Sequence, residues 1–269
     1  MEYHVKSFKG NTVYQKTVLP DTETRFKSYN VYLKNTEKEA LSDITTVNIN
    51  NANIEIYHGS KDIIKNPYFG GGSRDNDYGR GFYCVSESDL ELAKEWACSE
   101  YNDTSAGYVN KYSFNISGLS FLNLNDFDVI YRIALTSHYR KINIASKVKN
   151  LLEKHYLADI SDVDFIIGCR CDDTYIRIVT AFIKGNCSAE AITGAIKLGY
   201  LKNQIVIKSK NAFKRLKFTG YEKVSDFSLF RKKFQERKNN DDRGFSECRK
   251  MYRSGTYIED YKHMKGLLT

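Results

Sequence analysis

The sequence predicts an α+β fold in which two small β-sheets face each other, with helices on their flanks. Three features point there. Strand-forming aromatic residues are abundant, with 20 Tyr and 15 Phe beside only two prolines. The segments run strand, loop, strand, helix, strand, helices, strand, helices, strand, strand, which is neither a regular βαβ alternation nor an all-β run. Among the early strands sits one clear amphipathic helix, SESDLELAKEWACSEY (86–101). Leu90, Ala93, Trp96 and Ala97 recur there at helical spacing, acids fill the first turn, and Ser86 or Ser88 is placed to cap it.

The elements follow in order. Residues 1–50 are polar with scattered β-formers (VYQKTVL, YNVYL) and read as an N-terminal extension of unknown role, with a loose Asn/Thr-rich link at 46–53. IEIYHG (54–59) is a strand of β-branched and aromatic residues ending on Gly, and Asp62 to Lys65 forms a short helical turn before Pro67. GFYCVS (81–86) and YVNKYSFNI (108–116) are strands, the second closed by a turn at Ile116 to Leu119. A helical zone covers 125–158, DFIIGC (164–169) is an apolar strand, and TYIRIVTAFIKG and SAEAITGAIKLGY are helices. NQIVIKS (203–209) is a late strand, NAFKRL (211–216) a short helix and KFTGYEKV a last strand. The main domain therefore spans 51–224, and 225–269 is a basic, helical C-terminal tail.

Charge is concentrated near the end. The formal net charge of +8 sits almost wholly in the last quarter, from Lys208 onward, where 17 Lys/Arg face 8 Asp/Glu. A solvated helical face or an electropositive surface for nucleic acid or an acidic partner both fit. No apolar run approaches the ~18 residues of a membrane helix, and the first residues, MEYHVKSFKG, have no apolar signal region, so a cytoplasmic location and no membrane partner are expected. The six cysteines lack paired Cys-x-x-Cys spacing and the histidines lie far from them in sequence, so free thiols rather than a metal site are expected.

The stretch FGGGSRDNDYGRGFY (69–83) invites a phosphate-binding reading. A P-loop needs Lys-Ser/Thr after its glycines, and a dinucleotide fingerprint opens directly into a helix. This loop has no such Lys and leads into a strand, so both readings fail on context. Its neighbours carry more. Tyr57-His58-Gly59-Ser60 ends the preceding strand, Arg74-x-x-Asp77-Tyr78-Gly79-x-Gly81-Phe82-Tyr83 closes the loop, Trp96-Ala97 lies on the next helix, Ile166 to Gly168 leads to Asp172-Asp173, and Asn203-Gln204 opens the late strand.

In that order these motifs resemble a bacterial ADP-ribosyltransferase-like family with a His-Tyr-Gln signature, in the diphtheria-toxin and poly(ADP-ribose) polymerase branch. The resemblance covers residues 54–224, with a weaker echo at Gly255 to Asp260. It implies the ADP-ribosyltransferase-like version of the two-sheet fold, cleavage of NAD between nicotinamide and ribose, and transfer of ADP-ribose to a macromolecular acceptor, protein or nucleic acid. It also implies the toxic half of a bacterial toxin–antitoxin or defence pair, with a cognate antitoxin as partner and no metal.

The resemblance assigns His58, Tyr83 and Gln204 to catalysis, and His58, Gly59, Ser60, Arg74, Phe82 and Tyr83 to NAD. Gly59 would offer its backbone to the nicotinamide amide, so that bulk there is harmful. His58 would hydrogen-bond the adenosine ribose, and Tyr83 would stack on the nicotinamide. Arg74 and Arg80 suit the diphosphate, Asp77 shapes the loop, and Asp172 or Asp173 could activate an acceptor or form a turn. Gln204 stands where relatives carry Glu: it can hydrogen-bond a ribose hydroxyl but is no base. Mono-ADP-ribosylation is therefore expected. The alternative is a non-catalytic module of the same fold that binds nucleic acid through its basic C-terminal region.

Overall fold

A computed structural model describes residues 4–7, 12–18, 32–33 and 53–264, apart from positions 100, 127, 141, 171, 172 and 198–201. In chain order the described strands are β1 (His4–Ser7), β2 (Thr12–Val18), β3 (Tyr32–Leu33), β4 (Asn53–Ser60), β5 (Phe82–Cys84), β6 (Tyr108–Asn115), β7 (Ser120–Asn123), β8 (Phe165–Cys169), β9 (Asn203–Ile207) and β10 (Leu216–Lys223). The helices are α1 (Leu90–Ala97), α2 (Val129–Tyr139), α3 (Ser146–His155), α4 (Asp173–Ile183), α5 (Ala189–Lys197), α6 (Lys210–Phe213), α7 (Phe227–Met251) and α8 (Ile258–Met264).

Two sheets with several helices result, compatible with an α+β class. The larger runs β1-β2-β7-β8-β9-β5, with β3 also on β2; the smaller is β10-β6-β4 and antiparallel throughout. Alternation along each strand divides the side chains between layers. Ile56, Tyr112 and Phe114 of the small sheet meet Phe82, Phe165, Ile205 and Ile207 of the large one, so the sheets face each other across an apolar layer. Leu122, Ile166 and Val206 point the other way, into a second core under α2, α4 and α5. On the outer face of the small sheet, Tyr57 and Val109 pack with Leu92, Ala93 and Ala97 of α1 and Phe230 of α7.

Several expectations are corrected. Asp62 to Lys65 forms no helix: the Asp62 carbonyl accepts from the Asn110 side chain and the Ile64 carbonyl from the Tyr112 hydroxyl, bonds that replace a helical turn. The strand β7, four residues long and buried on both faces, escapes period-based reading. The first turn before α1 is a 3₁₀ turn, and the Ser86 and Ser88 hydroxyls bond each other (2.8 Å) instead of capping. Of the first 50 residues, β2 extends the larger sheet by pairing Thr17 with Phe121 and Val18 with Ser120. The link at 46–53 lies outside the described residues except Asn53, which opens β4. Of the segment 225–269, the described residues carry α7 and α8, and α7 is folded onto the body: Phe230 and Phe234 are buried, and the Arg231 guanidinium donates to the carbonyls of Cys98, Ser99 and Asn102. The echo at Gly255 to Asp260 docks on α5, where Thr256 donates through N–H and hydroxyl to Glu190.

Among the described residues no helix is long and apolar enough to cross a membrane, and no group of three His, Cys, Asp or Glu could hold a metal ion. Five cysteines, 84, 98, 169, 187 and 248, are buried free thiols.

Asp164 ties the larger sheet together at one end. Its carboxylate accepts from the Ser120 N–H (2.7 Å), the Ser120 hydroxyl (2.9 Å) and the Ser209 hydroxyl, while its carbonyl accepts from the Lys208 N–H (2.8 Å). The starts of β7 and β8 and the end of β9 thus share one residue. Asp164→Ala is expected to lower stability by about 3 kcal/mol, measured as a shift of the urea midpoint without a change in slope.

Candidate functional site

The site begins where β4 and β5 part. Tyr57 and Val85 exchange both backbone hydrogen bonds at 2.9 Å. In an antiparallel pair the next such exchange falls two residues on, between Gly59 and Tyr83. It is not made. The His58 ring reaches across instead, and its Nδ1 donates to the Tyr83 carbonyl at 2.6 Å. Register along β4 is unbroken, so alternation turns the N–H and C=O of Gly59 to the same edge as those of Tyr57, away from β6. They face the gap that the diverging strands leave.

That gap is a cavity of about 730 Å³. His58, Gly59, Phe82, Tyr83 and Gln204 all line it, so β4, β5 and β9 bring together the histidine, tyrosine and glutamine that are far apart in sequence. Ser60 and Arg74 do not line it. The Ser60 hydroxyl instead accepts from the Asp62 N–H (3.1 Å), and Arg74 is exposed on the glycine loop. Arg80 is exposed too and donates to the Gly70 carbonyl (2.6 Å), bracing the loop. Asp172 lies outside the described residues, and Asp173 opens α4.

Burial holds the His58 imidazole below its ordinary pKa, against the opposing hydrogen bond to Tyr83. The ring is therefore neutral near pH 7, with its proton on Nδ1 and an acceptor lone pair on Nε2. Phe82 supports it at 4.4 Å between ring centroids. The Tyr83 hydroxyl donates to the Gly79 carbonyl (2.7 Å) and accepts from the Tyr78 N–H (3.0 Å). With its hydroxyl engaged on the loop, the ring is what Tyr83 can present.

Gly59 has a second reason for being glycine besides the one expected. A Cβ there would lie 1.8 Å from the Ala93 carbonyl oxygen, because α1 packs directly on the β4 backbone. The constraint is helix–strand packing, and it sets the wall of the cavity.

The glycine loop is fixed from beneath. Tyr78 is fully buried, and its hydroxyl donates to the Cys169 carbonyl (2.6 Å). Gly168 makes room, since a Cβ there would meet the Tyr78 hydroxyl at 2.6 Å. From above, the Lys208 ammonium donates to the carbonyls of Tyr78 (2.5 Å) and Arg80 (2.6 Å), and burial pushes its pKa down to about 8. Asp77, next to this anchor, is 7% exposed and lines the cavity. Gln204, 2% exposed, donates from Nε2 to Asp77 Oδ2 at 2.8 Å, which orients its amide. Arg140, just beyond α2, lies 3.7 Å from Asp77 Oδ1.

The remaining wall comes from α1 and α7. Trp96, Phe234 and Lys238 line it, as does Arg170, which is 3% exposed and pairs with Asp241 at 3.1 Å. Asp241 also meets Arg237 at 3.4 Å, and Arg237 binds Glu95 of α1. Sequence reasoning missed Arg140, Arg170, Phe234 and Lys238 and gave Asp77 to the loop alone. The spacing of Phe230 and Phe234, one helical turn apart, was the available sign that α7 docks rather than trails.

A family model described as "Protein of unknown function (DUF3990)" matches residues 54–218. No curated protein and no solved structure matches this chain.

The unfolded chain protonates histidine near pH 6.5, whereas folded His58 holds out to lower pH. This residue therefore reduces stability as pH falls through that window, and no further once both states are protonated. An NMR titration of its imidazole should give a midpoint below about 6.5; a midpoint above it contradicts the burial. Asp241→Ala removes the carboxylate that meets both Arg170 and Arg237 and should cost about 3–5 kcal/mol of stability by chemical denaturation.

Proposed function

This chain belongs to the DUF3990 family, and we propose that it is an NAD-dependent mono-ADP-ribosyltransferase. It cleaves NAD at the nicotinamide–ribose bond and passes ADP-ribose to a macromolecular acceptor, as the toxic half of a bacterial toxin–antitoxin or defence pair. The observation that carries this reading is the unused N–H and C=O of Gly59, turned into a cavity that His58, Tyr83 and Gln204 share. A primary carboxamide is planar and carries an N–H donor beside a carbonyl acceptor. A single extended residue with both backbone groups open is its complement.

Each side chain then has a task within its means. Tyr83 offers a ring face to the pyridinium, with its hydroxyl held on Tyr78 and Gly79. Neutral His58 offers Nε2 as acceptor to a ribose hydroxyl. Arg140 and Lys238 supply the positive charge for a diphosphate, a task the sequence had assigned to Arg74 and Arg80. Trp96 and Phe234 give an apolar wall for a base.

The chemistry follows from these positions. As the C1′–N bond breaks, its electron pair leaves with nicotinamide and positive charge gathers on the sugar. Gln204 turns its amide nitrogen to Asp77, so its carbonyl oxygen is the end available to a ribose hydroxyl. An amide takes up no proton at neutral pH, so Gln204 itself accepts none from the acceptor.

Purified protein should release nicotinamide from NAD. His58→Ala, Tyr83→Ala and Gln204→Ala should each lower that rate by about two orders of magnitude with little change in melting temperature. Wild-type rates in all three variants would contradict the reading.

A further inference from the structure

We propose that Asp77 is the catalytic carboxylate of this site, taking the place that Gln204 leaves open. The proposal rests on the transferase reading above and assigns the one role that reading lacks. A glycosyl transfer gathers positive charge on the sugar and releases a proton from the acceptor, and a nearby carboxylate answers both demands. Gln204 can do neither. Among the described residues that line the cavity, Asp77 is the one with an acidic side chain.

Its placement is built in. Asp77 hangs from a loop held at the very next residue: Tyr78 is fully buried, its hydroxyl is bound to the Cys169 carbonyl, its N–H to the Tyr83 hydroxyl and its C=O to the Lys208 ammonium. Asp77 itself is only 7% exposed and is met by Gln204 Nε2 at 2.8 Å and Arg140 at 3.7 Å. An amide donor and a cation stand beside the carboxylate. The Asp77–Gln204 pair thus does in two residues what a single Glu would do: the glutamine orients, the aspartate carries charge.

The step balances. The C1′–N bond of NAD breaks with its electron pair going to nicotinamide. The acceptor's nucleophilic atom forms the new bond to C1′, and the acceptor's proton passes to Asp77 and then to water. The products are nicotinamide, the ADP-ribosylated acceptor and one proton.

Asp77→Asn tests it, because asparagine keeps the shape and can still accept from Gln204 while the charge is lost. NAD affinity by calorimetry should stay within about threefold, and nicotinamide release should fall by about two orders of magnitude. The double variant D77N/Q204E exchanges amide and carboxylate across the same hydrogen bond and should regain at least about tenfold over D77N. Near-wild-type turnover in D77N overturns the proposal. So does loss of NAD binding in D77N, or a double variant no faster than the single, since either makes Asp77 a packing residue. A wild-type protein that neither binds nor cleaves NAD overturns the transferase reading and this inference together, whereas an active wild type with an unaffected D77N overturns this inference alone.

Discussion

The cleft depends on one interruption in backbone pairing. Strands β4 and β5 start as antiparallel partners at Tyr57 and Val85 and then separate, because the His58 ring occupies the Tyr83 carbonyl that Gly59 would have used. Unpaired backbone groups inside a protein are costly unless water or a ligand meets them. Here they are tolerated because the divergence opens a cavity at that point. One side chain both ends a ladder and defines a site.

The surrounding structure keeps the strands apart. On one side α1 lies so close to β4 that Gly59 has no room for a Cβ, which fixes the strand against the helix. On the other, β5 is held to β9 through Phe82, Tyr83 and Cys84, and β9 is held to β8. The glycine loop between β4 and β5 cannot relax into the gap, since Tyr78 is locked into the core beneath and Lys208 grips its carbonyls. Gly79 serves that close packing: at φ +71°, it would drive a Cβ into the Tyr139 ring. The loop that resembled a phosphate cradle is a bracket, and its product is the position of Asp77.

Most of the architecture was legible in the sequence because the strands that matter are short, apolar and bounded by turn residues. IEIYHG, DFIIGC and NQIVIKS correspond to β4, β8 and β9, and the helical spacing at 90–97 corresponds to α1. The resemblance had assigned His58, Gly59, Phe82, Tyr83 and Gln204 to one ligand, and these five line one cavity. What was not legible depends on tertiary contacts. Nothing in Arg74 or Arg80 says that they point outward while Arg140, far along the chain, points in. The basic run of α7 reads as a solvated tail until Phe230 and Phe234 are seen buried, with Asp241 meeting Arg170 and Arg237, and Glu95 meeting Arg237. Gly59 was singled out for its backbone, whereas the second constraint on it, the approach of a helix carbonyl from Ala93, has no local signature.

In the proposed function Gly59 presents an open donor and acceptor to a primary carboxamide. The most direct measurement is a crystal structure of the protein soaked with nicotinamide. The carboxamide nitrogen should donate to the Gly59 carbonyl, its oxygen should accept from the Gly59 N–H, and the pyridine ring should lie against Tyr83. Nicotinamide bound elsewhere, or in the cleft with its amide turned away from Gly59, would contradict it.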